Sequence, residues 1–414
     1  MGRQDAPANA HEKITYSEEV EIIVPAARMA DLPPYLFLEL DRLADSRRQL
    51  GRDVINLGVG DPDLPTPDYI IRAMTEALHR QINHRYPNYL GSSDFRRAVA
   101  AWYQKRFDVT LDSVDEVVGL IGSKEGIAHL IWAMAGPGDL VLVPDPAYPV
   151  YRTQTVLAGA MPYRMPLLPG LGFLPDLGAI PESVWRKAKM LWLNYPNNPT
   201  GATAPSSFLA EAVERCRTYD VLLCHDNAYA EMSFDGYRAP SVLEIPGARD
   251  VAVEFYSWSK PFNMTGWRVA AAVGNSIAIK ALGLMKSHLD SGVFTAVQEA
   301  AIAALEGNPE AVFERMNAVY RTRRDLLVDG LTKAELVVPT PKATFYLWFA
   351  TPRAMTSAEA SKFFLEEADT VVTPGSAYGE QGEGWLRIAL TESEDRLRLA
   401  VERMQAALSA LPRA

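Results

Sequence analysis

The sequence predicts an α/β protein: a large domain with a mostly parallel sheet between helices, and a smaller α+β domain. Three observations lead there. Five short apolar runs, at 139–148, 189–201, 220–229, 251–260 and 267–275, are continuous rather than alternating. That is the pattern of strands covered on both faces. Between the second and third runs, Phe208, Leu209, Ala212, Val213 and Cys216 recur at helical spacing within 204–219, giving strand, helix, strand. Each run ends in a polar or glycine-rich turn, and functional residues of such sheets gather beyond the carboxyl ends of the strands.

The elements follow in order. The opening "MGRQDAPANAHEKITYSEEV" is polar and lacks the apolar stretch of a signal peptide, so residues 1–27 are expected to form an arm. The segment 31–63 precedes the large sheet and is expected to pack with the C-terminal part. After residue 305 the texture changes. One long amphipathic helix is expected over 308–331, strands over 344–350 and 385–391, and a closing helix over 393–411. The expected division is therefore a small domain of 28–60 and 311–414 and a large domain of 61–310.

Bulk properties narrow the function. A net charge of −10 argues against nucleic-acid binding, which needs a basic footprint. No segment approaches the roughly 20 apolar residues of a membrane helix, so no membrane partner is expected. Cys216 and Cys224 are the only cysteines. Two are too few for a disulfide framework, and a cytoplasmic location is expected. There is no HExxH and no paired-cysteine spacing, so no metal is expected.

Several motifs carry possible chemistry. Gly122, Ser123 and Lys124 precede an apolar helical run. Backbone N–H groups at a helix start plus a hydroxyl make an anion site, although an ordinary capping serine reads the same way. Gly58 and Gly60 in "NLGVGDPDLP" suggest a dinucleotide loop, but the third glycine is missing and Pro65 follows. Asp226 in "CHDNAYAEM" ends a strand, where a carboxylate can enter a crevice or cap a helix. The adjacent His225 reads as structural. "NYPNNPTGA" at 194–202 is a strong turn signal. Arg387 sits in the apolar "WLRIALT", and a buried guanidinium requires an anion, from the protein or from a substrate. Lys260 ends an apolar strand in "YSWSKPFNMTGWRVA", an odd place for a lysine.

Taken in order, "GSKEGIAHL", "PDPAYPVY", "NYPNNPTGA", "DNAYAEM", "SWSKPFNMTGWRVA" and "WLRIAL" make the chain, from about residue 30 onward, resemble the class I/II aminotransferases of fold type I. The resemblance implies pyridoxal 5'-phosphate as cofactor, with Lys260 as the catalytic lysine that binds it. It implies Asp226 at the pyridine nitrogen, Tyr229 and Asn198 at the phenolic oxygen, and Tyr148 stacked on the ring. It implies a phosphate cup of Ser123, Lys124, Ser257, Ser259 and Arg268, completed by Tyr86 from a second subunit. A homodimer with shared active sites follows. Arg387 would hold the substrate carboxylate, assisted by Asn198 and Gly60. The implied reaction passes an amino group from an amino acid to a 2-oxo acid in ping-pong fashion.

For the substrate, "ARMADLPPYLFLELD" and "GRDVINLGVGDPDLPTP" look like the LL-diaminopimelate branch. There Tyr35 would contact substrate and 2-oxoglutarate would be the acceptor in lysine biosynthesis. Ser287 stands where aspartate-specific members carry a second arginine. Tyr89 departs from the branch, which has glutamate three residues after the phosphate tyrosine. An alanine, glutamate or broad-specificity aminotransferase, or a C–S lyase using the same residues, is the alternative reading.

Overall fold

The computed structural model describes residues 25–30, 32 and 36–411. Tyr35 and most of the expected arm lie outside the described residues.

The strands are β1 (Ile55–Asn56), β2 (Val117–Leu120), β3 (Leu140–Asp145), β4 (Met161–Pro166), β5 (Ala188–Leu193), β6 (Leu222–Asp226), β7 (Ala252–Ser257), β8 (Ala270–Gly274), β9 (Tyr346–Ala350), β10 (Thr370–Val371), β11 (Thr373–Pro374) and β12 (Trp385–Ala389). Seven of them form the main sheet, in the order β2-β8-β7-β6-β5-β3-β4. All neighbours run parallel except β8, which is antiparallel to both β7 and β2.

The continuous apolar runs have a direct structural cause. Along β5, Met190 and Trp192 point into one buried cluster and Leu191 and Leu193 into the other. Along β7, Val253 and Phe255 alternate with Ala252 and Tyr256 in the same way. Successive side chains face opposite sides of a strand, and here both sides are covered by helices. Parity then sends Asp226 and His225, next to each other on β6, to opposite faces.

Two strands of the main sheet went unread in the sequence. β2 has four residues, one of them Gly119. β4 contains Pro162 and Pro166 and, among the described residues, pairs only with β3, so it is an edge, where proline is tolerated.

The C-terminal part has its own sheet, with β12 antiparallel to β9 and β11. Its long helix, Pro309–Lys333, starts at Asn308, whose side chain accepts from the Ala311 N–H, with Pro309 in the first turn. Leu327 and Leu331 of this helix join Leu397 and Met404 of the closing helix (Glu394–Ala410) and Phe345 and Leu347 in one core. Tyr229, Met232 and Phe234, just after β6, enter the same core. β1 pairs in parallel with β10, and Ala44, Val54, Leu365 and Val371 pack together beside it. A bidentate ion pair, Arg323 to Asp63 at 2.7 and 2.8 Å, ties the long helix to the segment after β1.

Candidate active site

A cavity of about 650 Å³ opens at the carboxyl ends of β5, β6 and β7. Twelve residues singled out in the sequence line it: Gly60, Ser123, Lys124, Tyr148, Asn198, Asp226, Tyr229, Ser257, Ser259, Lys260, Arg268 and Arg387. Tyr86 does not; its side chain is 91 % exposed on the surface.

One end is built for an anion. Ser123 opens the helix Ser123–Met134, and its Oγ is buried with no hydrogen-bond partner among the described residues. Gly122, just before it, has φ +79°, and a side chain there would run into the Arg268 guanidinium. Glycine is therefore required twice over. Arg268 is steadied by Nη1 donating to the Thr265 carbonyl at 2.8 Å. Ser257 and Ser259 are both buried, and the Ser259 N–H donates to Ser257 Oγ at 3.2 Å. Burial lowers the proton affinity of Lys124, and the charge of Arg268 lowers it further. Two cations at a helix N-terminus call for a negative ligand.

The other end calls for a cation or a donor. Asp226, the last residue of β6, is 5 % exposed. Its Oδ2 accepts from Tyr151 Oη at 2.7 Å, while Oδ1 has no hydrogen-bond partner among the described residues. Burial pushes this carboxyl up, opposed by the Tyr151 hydroxyl, His225, the Ala228 N–H and Lys260. A buried carboxylate oxygen left unsatisfied is costly. A ligand with an anionic group at one end and a protonated nitrogen at the other fits both orphaned atoms.

Lys260 lies between these ends in the turn after β7. Its Nζ donates to the Gly60 carbonyl at 3.1 Å and sits 5.3 Å from the Phe345 ring centre. Burial is the main cause lowering its pKa to about 8, with Arg387 and Arg268 adding to it and Asp61 and Asp226 opposing. The lysine therefore gives up its proton near neutrality far more readily than an ordinary lysine.

Arg387, on β12, is 2 % exposed. It donates to Asn198 Oδ1 at 2.9 Å and to the Gly58 carbonyl at 2.6 Å. The rings of Tyr346 and Tyr378 flank it at 4.1 and 4.9 Å. Asn194 joins the strand ends behind the cavity: it donates to the Asp226 carbonyl at 2.7 Å and accepts from the Asn198 N–H at 2.8 Å. A side chain on Gly60 would collide with the Tyr346 phenol. Gly60→Ala is therefore expected to displace Tyr346 from Arg387 and lower kcat/KM by about tenfold to 10²-fold, the range for small misplacements near a reacting group. Steady-state kinetics checks it.

Residues 52–404 match the family Aminotransferase class I and II. The chain belongs to this family. It is 52% identical over 385 residues to the LL-diaminopimelate aminotransferase of Desulforudis audaxviator, covering 93% of this chain and 98% of that protein. It is 53% identical over 382 residues to the enzyme of the same name from Syntrophobacter fumaroxidans, with 92% and 98% covered. Among solved structures, the substrate-bound BacF of Bacillus subtilis superposes with a TM-score of 0.90 at 37% identity, covering 93% of this chain and 98% of that one. A Thermus thermophilus aspartate aminotransferase mutant gives 0.88 at 28% identity, covering 93% and 100%. The α/β fold is thus that of fold-type I aminotransferases, and this chain is a transaminase.

Sequence reasoning missed several residues of the aminotransferase site. Tyr151 is the main one. The signal was there, because it follows Tyr148 by three residues and so shares its side of the turn leading into the helix Val150–Leu157. Tyr346 and Tyr378 gave none. Outside the cavity, Glu125, His129 and Asp290 come together. The fully buried Lys286 donates to Glu125 and Asp290, both at 3.1 Å, so these carboxylates already hold a cation. Ser287 is exposed, its hydroxyl donating to the Leu284 carbonyl at 2.7 Å.

Proposed function

We propose that this aminotransferase binds pyridoxal 5'-phosphate and moves an amino group from LL-diaminopimelate to a 2-oxo acid, 2-oxoglutarate, in a ping-pong reaction of lysine biosynthesis. The observation carrying the cofactor is the pair of buried, unpartnered atoms in one cavity, Ser123 Oγ and Asp226 Oδ1. They match a phosphate at one end and a protonated ring nitrogen at the other. The substrate rests on the two relatives of that name at 52% and 53% identity.

When bound, the cofactor supplies an electron-withdrawing ring that stabilises charge at the substrate Cα. The protein does the rest. Lys260 is the point of attachment, and its free amine then carries the proton to and from Cα. Asp226 holds the proton on the ring nitrogen through Oδ1, since Tyr151 occupies Oδ2. Ser123, Lys124, Ser257, Ser259 and Arg268 would hold the phosphate, Tyr148 would cover the ring, and Tyr229 and Asn198 would bind its phenolic oxygen. Arg387 clamps the substrate α-carboxylate, its approach set by Asn198 and the Gly60 backbone. Tyr86, standing on the surface of its own chain, would complete the phosphate cup of a second copy, so the working form is a homodimer. With two free, buried cysteines, we place it in the cytoplasm.

Two expectations follow from these roles. Below about 8 Lys260 is mostly an ammonium without a lone pair, and above it a free amine. The single-turnover rate of Cα proton removal should therefore rise with pH through about 8 and then level off. Tyr151→Phe removes a hydrogen bond that favours the charged carboxylate. Stopped-flow measurement is expected to show about a tenfold slower proton removal, one charge-assisted hydrogen bond's worth, with little change in KM.

The substrate is tested by adding LL-diaminopimelate, alanine, glutamate and aspartate singly to the yellow, loaded enzyme without an acceptor. LL-diaminopimelate should bleach the visible band and release one oxo acid per site. Tyr89, with its ring 42% exposed in the place of the branch's glutamate, favours the second reading, broad specificity. Bleaching by alanine and glutamate alone would establish that reading instead. Ammonia release with the band retained would make it a lyase.

A further inference from the structure

His225 precedes Asp226 on β6 but faces the other side of the sheet, where it is 0 % exposed. Its Nε2 lies 3.0 Å from the Tyr195 carbonyl oxygen. A carbonyl only accepts, so Nε2 carries a hydrogen. Its Nδ1 lies 2.7 Å from Glu254 Oε2 on β7. Glu254 is 0 % exposed too, and three other donors converge on it. Tyr103 Oη reaches Oε1 at 2.9 Å, Ser241 Oγ reaches Oε1 at 2.8 Å, and the Val242 N–H reaches Oε2 at 2.9 Å.

The proton assignments close on themselves. Ser241 Oγ accepts from the Leu243 N–H at 3.1 Å, leaving its own hydrogen for Glu254. Burial and the facing Glu254 push the Tyr103 phenol well up, so it stays a neutral donor. A carboxyl receiving three donors is favoured as the carboxylate. A carboxylate only accepts, so Nδ1 carries a hydrogen as well. An imidazole protonated on both nitrogens is a cation, and 2.7 Å is the length of a charge-assisted bond.

We propose that His225 carries a hydrogen on both ring nitrogens, donated to Glu254 and to the Tyr195 carbonyl, and that it is a positioning residue whose charge favours the ionised form of Asp226. The proposal rests on the reading that Asp226 faces the protonated ring nitrogen of the cofactor. Its charge-state half stands apart from that reading. The electrostatics agree: His225 opposes the upward push of burial at Asp226. The titratable groups around the pair are Tyr103 from the helix Ser93–Phe107, Asp226 on its own strand and, at Tyr103, Tyr256 and Glu231. Glu231 is itself held by Arg106 at 3.0 Å. Tyr103 and Tyr256 are both pushed well up by burial and stay neutral.

The test has two arms. Nitrogen-15 NMR of the labelled protein, with and without pyridoxal phosphate, should show a histidine with both ring N–H protons. Its signals should vanish in His225→Gln. A histidine at this place with only one ring proton overturns the proposal. If His225→Gln does not fold, the exchange-protected ring protons of the unsubstituted protein decide the charge state, and Glu254→Gln carries the second arm. There, loaded His225→Gln should show the pH midpoint of the visible band raised by about one unit, because removing a positive charge raises the proton affinity of its neighbours, and loaded Glu254→Gln should show it lowered, because that change removes a negative charge. kcat should fall about tenfold with KM for the amino acid within about twofold. Lost thermal stability with an unmoved midpoint would overturn the positioning role. Failure to bind pyridoxal phosphate at all would instead defeat the functional reading and leave the NMR result intact.

Discussion

Lys260→Ala should abolish transamination, lowering kcat by more than about 10⁴-fold, the upper range for general acid–base catalysis. The loss is that large because, in the proposed function, one side chain serves as both point of attachment and proton carrier. Its position explains why no other lysine replaces it. Lys124 also lines the cavity, but at the anion end, with Nζ 5.7 Å from the Tyr148 ring. The same variant has an opposite effect on stability. The folded pKa of Lys260 is about 8 against an ordinary 10.5, so folding disfavours its charged form. Linkage makes that cost full below about 8 and relieves it as pH rises toward 10.5. Without cofactor at neutral pH, Lys260→Ala is expected to melt at or above the parent's temperature in a calorimetric scan. Above about 10.5 the electrostatic part of that advantage disappears. An inactive and more stable variant separates a functional lysine from a structural one.

Arg387→Lys should lower kcat/KM for the amino acid by about 10²- to 10³-fold, the cost of breaking a buried, hydrogen-bonded charge pair. Charge alone does not suffice here. The guanidinium donates in two directions, to Asn198 Oδ1 and to the Gly58 carbonyl, while two phenol rings fix its plane. An ammonium cannot fill that fork. The loss should fall mainly on KM, because the proposed role of Arg387 is to hold the carboxylate before, during and after proton transfer. Substrate-dependence curves for the two half-reactions separate the parameters. Binding of pyridoxal phosphate, followed by absorbance, should change little.

Much of the large sheet was legible because both of its faces are apolar, so β3, β5, β6, β7 and β8 announce themselves as unbroken runs. β4 did not, since an edge strand with two prolines and a half-buried Arg164 has the composition of a loop. The site residues carrying unusual chemistry were legible for a related reason. A lysine, an aspartate and an arginine in apolar runs violate the usual cost of burial, and a violation stands out. Tyr151, Tyr346 and Tyr378 violate nothing. A buried tyrosine reads as core, and only coordinates show that one of them donates to Asp226 and two flank Arg387. His225 was likewise read as structural; its partner Glu254 lies on another strand, 29 residues away. Tyr86 shows the limit of one chain, since its proposed role depends on a surface that a single copy leaves bare.

The most direct test of the central claim is where the cofactor attaches. The loaded enzyme is reduced with borohydride, digested, and its peptides weighed. The account predicts a pyridoxyl adduct on Lys260 and none on Lys124 or any other lysine. An adduct elsewhere, or no adduct in an active and yellow enzyme, would contradict it.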